Sequence, residues 1–186
     1  HAATPGTGGT MSDTAANGDE RHDAEIEIDP ALYRRVLGHY PTGVTVVAGL
    51  EGDRPVGLAI GSFFSVSLEP PLVGFCVART SSTWPRIEAG GRFGITVLAE
   101  DQHETSGRFA SKVEDKFEGE TWVPAPVTGS PLIQGGLEHI DCTLHDVLDG
   151  GDHVIVLGRV QYLDVHREDV GPLLFFRGGY GRHTAL

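Results

Sequence analysis

Hydroxyl side chains recur along an alternating stretch in the middle of the chain, within GLAIGSFFSVSLEPPLVGFCVA at residues 57–78. Ser62 precedes this stretch, and Ser65 and Ser67 recur with the period of two that is typical of a β-strand. Serines add little to an apolar core, so they are either solvated or donors to a polar ligand that lies along the strand. A Pro-Pro pair ends the strand because proline donates no backbone hydrogen bond, and residues 72–78 resume as a second, fully apolar strand.

A second group of hydroxyls, Ser81, Ser82 and Thr83, stands at the start of a short predicted helix with Pro85 in its first turn. Free backbone N–H groups and the helix dipole favour an anion there, so the hydroxyls suit a phosphate. Plain N-capping explains the same residues equally well. The sequence leaves both interpretations open.

Nine histidines raise the question of a metal site, and His139, His145 and His153 fall on one predicted hairpin. His139 and His145 are six residues apart on one strand, which separates their Cα atoms by roughly 20 Å. Pairing of position 145 near position 156 would offset His153 from His145 by roughly 10 Å. We therefore predict no metal site. His153 differs because it follows the turn in GGDH at a barrel rim, where it either bonds to Asp152 or serves function.

Other familiar catalytic and nucleotide-binding motifs do not match the chain. A nucleophilic hydrolase would need a serine on a GxSxG elbow, and GSFFS does not fit that pattern. No GxGxxG follows a strand and no GxxxxGK[ST] occurs. A dinucleotide bound by this chain is therefore not expected in a Rossmann crevice.

The overall composition restricts the class of protein. At 186 residues the chain suits one domain, and no apolar run is long enough to span a bilayer. The net charge of −12 argues against nucleic acid, because such binding relies on lysine and arginine to neutralise phosphates. Cys76 and Cys142 stand alone in apolar strands, and no secretory segment precedes the domain. We expect a cytoplasmic protein with no membrane or nucleic-acid contact.

The order of patterns along the chain predicts a mainly β protein with a few short helices. Residues 1–28 are rich in small and acidic residues and are expected to form a disordered acidic tail before a single domain over residues 29–186. Asp29 and Pro30 predict a helix that ends at Gly38. The apolar face of that helix consists of Leu32, Tyr33, Val36 and Leu37. The many short strands that follow indicate an antiparallel barrel.

Two further expectations concern burial and the end of the chain. The alternating strand places Phe64, Val66 and Leu68 on one apolar face, opposite the serines, and we expect that face to be half-buried. The ending PLLFFRGGYGRH predicts a last strand followed by a glycine-rich tail.

Several ordered motifs together resemble a known family. The run PVGLAIGSFFSVSLEPPLVGFCVARTSSTW is preceded by YPTGVTVV and followed by RFGITVLAEDQHETSGRFASKVEDKF, GGDHVIVLGRV and PLLFFRGGY. Over roughly residues 29–181 the chain resembles the flavin reductase family. More narrowly, it is similar to the small reductase components of two-component flavin-dependent monooxygenases.

The resemblance implies a split β-barrel of the FMN-binding type, usually a homodimer with flavin near the subunit interface. Such proteins pass a hydride from NADH, sometimes NADPH, to free FAD or FMN. The reduced flavin then leaves for a separate monooxygenase, in aromatic hydroxylation or natural-product tailoring.

The resemblance also implies a site, residue by residue. The flavin ring would lie along Pro55, Val56, Gly57, Leu58, Ala59, Gly61 and Ser62. The adjacent strand would border it with Cys76, Val77 and Ala78. A flavin phosphate would meet Ser82 and Thr83, and Arg108 and Phe109 would close over the rest of the cofactor. The nicotinamide nucleotide would meet the catalytic residue His153, which positions the nicotinamide ring, together with Arg177, Gly178 and Tyr180.

Gly57 and Gly61 agree with this assignment because glycine lets a backbone come close to a flat ring, although a bulge or bend explains them too. The chain departs from the family pattern at Ala59, Ile60 and Gly61, where many relatives have Thr and Asn in a TANSF motif. Two polar side chains are therefore absent beside the flavin. Either backbone groups replace them or the flavin is held more weakly.

Two other classes of protein stay open. A non-catalytic flavin-binding or carrier protein would keep the serine-rich strand but show no nicotinamide-dependent turnover, and the motifs GGDH and FRGGY argue against it. An enzyme of the pyridoxine phosphate oxidase type would need an additional basic cluster for its substrate phosphate. The 14 basic residues show no such cluster in the sequence.

Overall fold

A computed structural model describes residues 26–186 of the chain. The helices are α1 (Pro30–Leu37), α2 (Trp84–Glu88) and α3 (His103–Ala110). The strands are β1 (Thr42–Gly43), β2 (Thr45–Glu51), β3 (Arg54–Ile60), β4 (Phe64–Leu68), β5 (Pro71–Ala78), β6 (Arg92–Val97), β7 (Trp122–Pro124), β8 (Pro131–Ile133), β9 (Glu138–Gly150), β10 (His153–Val165), β11 (Leu173–Phe176) and β12 (Gly179–Arg182). The tail predicted over residues 1–28 lies outside the described residues except for residues 26–28, which are exposed.

Seven antiparallel strands form the main sheet in the order β3-β2-β6-β9-β10-β5-β4. The sheet is not closed by a continuous ladder. Instead, Ser62 in the β3–β4 connection spans the gap to β5: its Oγ accepts from the Cys76 N–H at 2.9 Å and donates to the Cys76 carbonyl at 3.2 Å. The prediction of a mainly β, antiparallel split barrel is confirmed.

Two clusters of buried side chains form the core. The larger one lies inside the curled sheet, where Phe75 packs edge-to-face on Trp84 and on Phe93 with centroids 5.6 and 5.5 Å apart. The smaller one joins β2 to α3 and to the loop after it, through Phe109 and Phe117. Together the clusters fix the positions of α2 and α3 on the barrel.

The predicted first helix is confirmed in its bounds but its apolar face is not covered. The Asp29 carboxylate caps α1 by accepting from the N–H groups of Ala31 and Leu32 at 3.0 and 3.3 Å. All four residues of the apolar face are half-exposed: Leu32, Tyr33, Val36 and Leu37. Nothing within residues 26–186 packs against this face closely enough to bury it.

The prediction that β4 buries its apolar face is wrong for the single chain. Phe64 and Val66 are 41% and 42% exposed, and Leu68 is 91% exposed. β4 is an edge strand with a bulge between Ser65 and Ser67. Alternation indicates that a strand has an apolar face, but it does not say which partner covers that face.

The β9–β10 hairpin turns at residues 151–152, between the paired residues Gly150 and His153. The predicted pairing of position 145 near position 156 is wrong. Val156 pairs with Val147, and His145 stands in a bulge. The difference at position 156 comes from the turn, because β9 and β10 extend to Gly150 and His153 and leave only two residues between them.

The chain ends in a hairpin rather than in a glycine-rich tail. β11 pairs with β1 on one side and with β12 on the other. The two residues of the turn, Arg177 and Gly178, have positive φ values of 52° and 82°. Such φ values define the turn that best matches the twist of a two-residue hairpin, so the glycines that suggested a tail belong to a strand.

Among residues 26–186, no helix is long and apolar enough to cross a membrane. In the same part of the chain, no three His, Cys, Asp or Glu side chains come together in a way that could hold a metal ion.

Candidate functional site

A cleft of about 550 Å³ opens between β3, the loop after β5, and the end of α3 with its following loop. It brings together eight of the residues named from the sequence: Pro55, Val56, Gly57, Leu58, Ala59, Ser82, Thr83 and Phe109. These come from three segments that are far apart in the chain. Their convergence on one cleft makes it the candidate binding site.

The hydroxyls at the start of α2 differ in their hydrogen bonds. Ser81 does the capping, because its Oγ accepts from the Trp84 N–H at 3.1 Å. The hydroxyls of Ser82 and Thr83 form no hydrogen bond with any group of residues 26–186, and both residues line the cleft. Capping therefore accounts for Ser81, and Ser82 and Thr83 are the hydroxyls available to a ligand.

Three basic side chains line the same cleft: Arg86, Lys112 and Lys116. Glu51 holds Arg86 with two hydrogen bonds, at 2.9 Å to Nε and 2.6 Å to Nη2, and this contact lowers the pKa of Glu51. Lys116 donates to the Phe109 carbonyl at 2.9 Å; burial and the charge of Arg86 lower its pKa. Cations that converge with free hydroxyls suit a phosphate-bearing ligand.

Sequence reasoning did not include these basic residues in the site. Lys112 and Lys116 lie in the quoted motif RFASKVEDKF, directly after Phe109, so that motif held a usable signal. Arg86 gave none, because its place in the cleft depends on how α2 packs against β2.

Phe109 forms the floor of the cleft, and its ring leaves no room for a side chain at residue 57. The ring is almost fully buried and meets Phe117 edge-to-face with centroids 5.0 Å apart. A Cβ on Gly57 would lie only 2.7 Å from Cε1 of Phe109. Gly57 therefore makes room for the aromatic floor. Gly61 has a similar close neighbour, since a Cβ there would lie 3.2 Å from the Thr42 hydroxyl.

Several predicted flavin contacts lie elsewhere in the single chain. Gly61 and Ser62 line a different cleft, of about 510 Å³, and Ser62 is hydrogen-bonded to Cys76. Val77 is buried in the core, and Arg108 turns towards Glu120, with 3.7 Å between Nε and Oε1. Ala78 lines a third cleft together with Val147 and Val154.

His153 occupies the rim of the β9–β10 hairpin. Its Nδ1 donates to the carboxylate of Asp152 at 2.7 Å, and this bond lowers the pKa of Asp152. Because Nδ1–H donates to the carboxylate, Nε2 is the ring nitrogen left for a ligand. The side chain of His153 is 46% exposed, and its register partner is Ala78, two residues before the cleft-lining Thr80.

The residues of the FRGGY motif fall into two places. Arg177 and Gly178 border a pocket of about 340 Å³, which they share with four residues at the end of α1: Arg34, Arg35, Gly38 and His39. Tyr180 instead donates its hydroxyl to the Ser106 hydroxyl on α3 at 2.9 Å. Sequence reasoning missed the other basic residues of this pocket, Arg34 and Arg35, which lie on α1, about 140 residues earlier in the chain.

Comparison with known proteins identifies the family. A model of the flavin reductase like domain matches residues 37–184. The chain belongs to this family. This confirms the resemblance seen in the motifs.

Relatives of this flavin reductase like chain include the reductase subunit HsaB of a flavin-dependent monooxygenase from Mycobacterium tuberculosis, which is 50% identical over 155 residues, 83% of this chain and 82% of that protein. A flavin reductase from Pseudomonas putida is 50% identical over 160 residues, 86% of this chain and 93% of that protein. The structure of the NADH:FAD oxidoreductase SgcE6 of Streptomyces globisporus, in complex with NAD and FAD fragments, superposes with a TM-score of 0.79 at 37% identity, covering 86% of this chain and 97% of that one.

Proposed function

We propose that the protein is an NADH-dependent flavin reductase that reduces free FAD and supplies it to a separate monooxygenase. Support comes from the family and from relatives named as flavin reductase, as reductase subunit of a flavin-dependent monooxygenase and as NADH-dependent FAD reductase. FMN is the alternative flavin and NADPH the alternative donor.

The single observation that carries the proposal is the 550 Å³ cleft. Residues 55–59 of β3 line it, and a flat ring can lie against them. The same cleft is lined by the free hydroxyls of Ser82 and Thr83 and by Arg86 and Lys116, which suit the phosphates of a flavin nucleotide.

His153 positions the nicotinamide in this proposal, and Arg177, Gly178 and Tyr180 receive the rest of the nucleotide. Hydride transfer is the chemistry of the two bound cofactors, and the protein supplies binding and orientation. The pocket that Arg177 shares with Arg34 and Arg35 adds positive charge suited to a pyrophosphate.

The flavin reductase acts as a homodimer in this proposal. The exposed apolar face of β4 and the exposed face of α1 lie on either side of a cleft lined by Leu37, Tyr40 and Phe64. An apolar surface of this kind marks an interface, and a second copy of the chain is the partner that would cover it. Leu68→Asp is expected to convert the dimer to monomer in sedimentation analysis. A wild type that sediments as a monomer would contradict the proposal.

The test of function is the steady-state oxidation of NADH by the purified protein with and without added FAD. We expect turnover that depends on FAD and that falls strongly in His153→Ala. His145→Ala is the matched control, because His145 is exposed in a bulge of the same hairpin and is expected to leave the rate unchanged. FAD binding without turnover, using NADH or NADPH, would indicate a flavin carrier instead.

A further inference from the structure

Arg79 connects the hairpin that bears His153 to the rest of the barrel. Its Nε donates to the Gly151 carbonyl at 2.8 Å, and its Nη2 pairs with the Asp149 carboxylate. Its backbone N–H donates to the Asp152 carbonyl at 3.0 Å. One residue thus contacts both residues of the turn and Asp149 on the adjoining strand.

The turn has few other constraints. Only two residues, Gly151 and Asp152, lie between the paired ends of β9 and β10, and both are exposed. Gly151 has a φ of 76°, in the region that glycine adopts without strain. The Asp152 carboxylate in turn accepts from Nδ1 of His153. A shift of this turn therefore moves the acceptor that orients the imidazole.

Arg79 also stands at the junction with the cleft. It directly follows β5, whose last residue Ala78 pairs with His153. It directly precedes residues 80–83, which line the cleft and carry its free hydroxyls.

We infer that Arg79 is a positioning residue, which holds the Gly151–Asp152 turn and so sets the place of the His153 imidazole relative to the flavin cleft. This inference rests on the proposed function, in which His153 orients the nicotinamide. Arg79 and Asp149 are both largely solvent-exposed, and exposed ion pairs contribute little to folding stability. The contribution of Arg79 therefore lies in geometry rather than in stability.

The test compares Arg79→Ala and Arg79→Lys with a matched control, Arg167→Ala. Arg167 has the same kind of contacts, pairing with the carboxylate of Asp101 and donating to the carbonyl of Gly135, but it lies outside the site. We expect Arg79→Ala to lower kcat/KM for NADH by at least about tenfold, because small displacements of an orienting group are costly to rate. The Kd for FAD and the thermal midpoint should stay near the wild-type values.

Arg79→Lys should restore part of the loss, because lysine can pair with Asp149 but cannot also reach Gly151 with a planar fork. In a His153→Ala background, Arg79→Ala should cause little additional loss, because the residue acts through His153. Hydrogen exchange over residues 149–153 should become faster in Arg79→Ala and not in Arg167→Ala.

Two results would overturn the inference while leaving the reductase function in place. One is wild-type kcat/KM for NADH in Arg79→Ala when His153→Ala is impaired. The other is full additivity of the two losses in the double variant. Absence of NADH turnover in the wild type would instead overturn the proposed function, and with it the role of Arg79.

Discussion

The substitution Gly57→Ala tests whether Phe109 is the floor of the flavin cleft. The new Cβ would lie 2.7 Å from Cε1 and 3.1 Å from Cδ1 of the buried ring, well inside ordinary contact distance. Overpacking of this kind costs about 1–3 kcal/mol, against a gain of about 0.5 kcal/mol from replacing glycine in a strand. We expect a net loss of roughly 0.5–2.5 kcal/mol, which lowers the thermal midpoint by roughly 1–10 °C in a domain of this size.

Displacement of Phe109 by the new Cβ should also weaken FAD binding. Phe109 lines the cleft with its ring, and its carbonyl accepts the hydrogen bond from Lys116. Thermal unfolding and FAD titration measure the two effects. Gly107→Ala is the control, on the helix that carries Phe109. Nothing lies within 4 Å of the Cβ that alanine would add there, so this substitution should stabilise α3 by about 1 kcal/mol. Gly57→Ala with wild-type stability and FAD affinity would contradict a clash with Phe109. So would a Phe109→Leu substitution that costs as much stability in the Gly57→Ala background as in the wild type.

Three further predictions concern a basic cleft residue, a buried carboxylate and a buried imidazole. Lys116→Met should raise the Kd for FAD about tenfold, which corresponds to about 1.4 kcal/mol of binding free energy. Riboflavin binding should stay unchanged, because riboflavin has no phosphate. Equal losses of affinity in both titrations would contradict a phosphate contact. Asp141→Ala removes a buried acceptor of two backbone N–H groups and of the Thr128 hydroxyl, so urea unfolding should show a loss of about 3 kcal/mol. His139 donates to the Ile133 carbonyl, and its pKa is lowered mainly by burial, so the unfolded chain binds the proton more readily. The free energy of unfolding should therefore be highest above pH ~6.5 and fall as the pH drops below it, and the fall should be shallower in His139→Gln; identical pH profiles would argue against this role.

Local signals in the sequence predicted the elements whose causes are local. Asp29 and Pro30 set the start of α1, and the GGDH motif placed the turn of the β9–β10 hairpin directly before His153. The family resemblance predicted the barrel and named eight of the residues that line the main cleft. Whether those residues bind flavin stays a prediction that the proposed assays test.

The elements that sequence reasoning misjudged depend on what lies far away in the chain or outside it. Alternation placed Phe64 and Leu68 on one apolar face, but it does not predict that their strand lies at the edge of the sheet, where both side chains stay exposed in the single chain. Arg86 enters the cleft through the packing of α2, and Arg177 meets Arg34 through the pairing of β11 with β1. Neither contact has a period or a motif from which it could be read.

Reduction of FAD by NADH on this protein is tested most directly by mixing the two anaerobically with the protein and following the absorbance of oxidised flavin. We expect rapid bleaching of FAD, recovery of the absorbance on admission of oxygen, and a much slower reaction with His153→Ala. FAD that binds in the cleft but stays oxidised in the presence of excess NADH would contradict it.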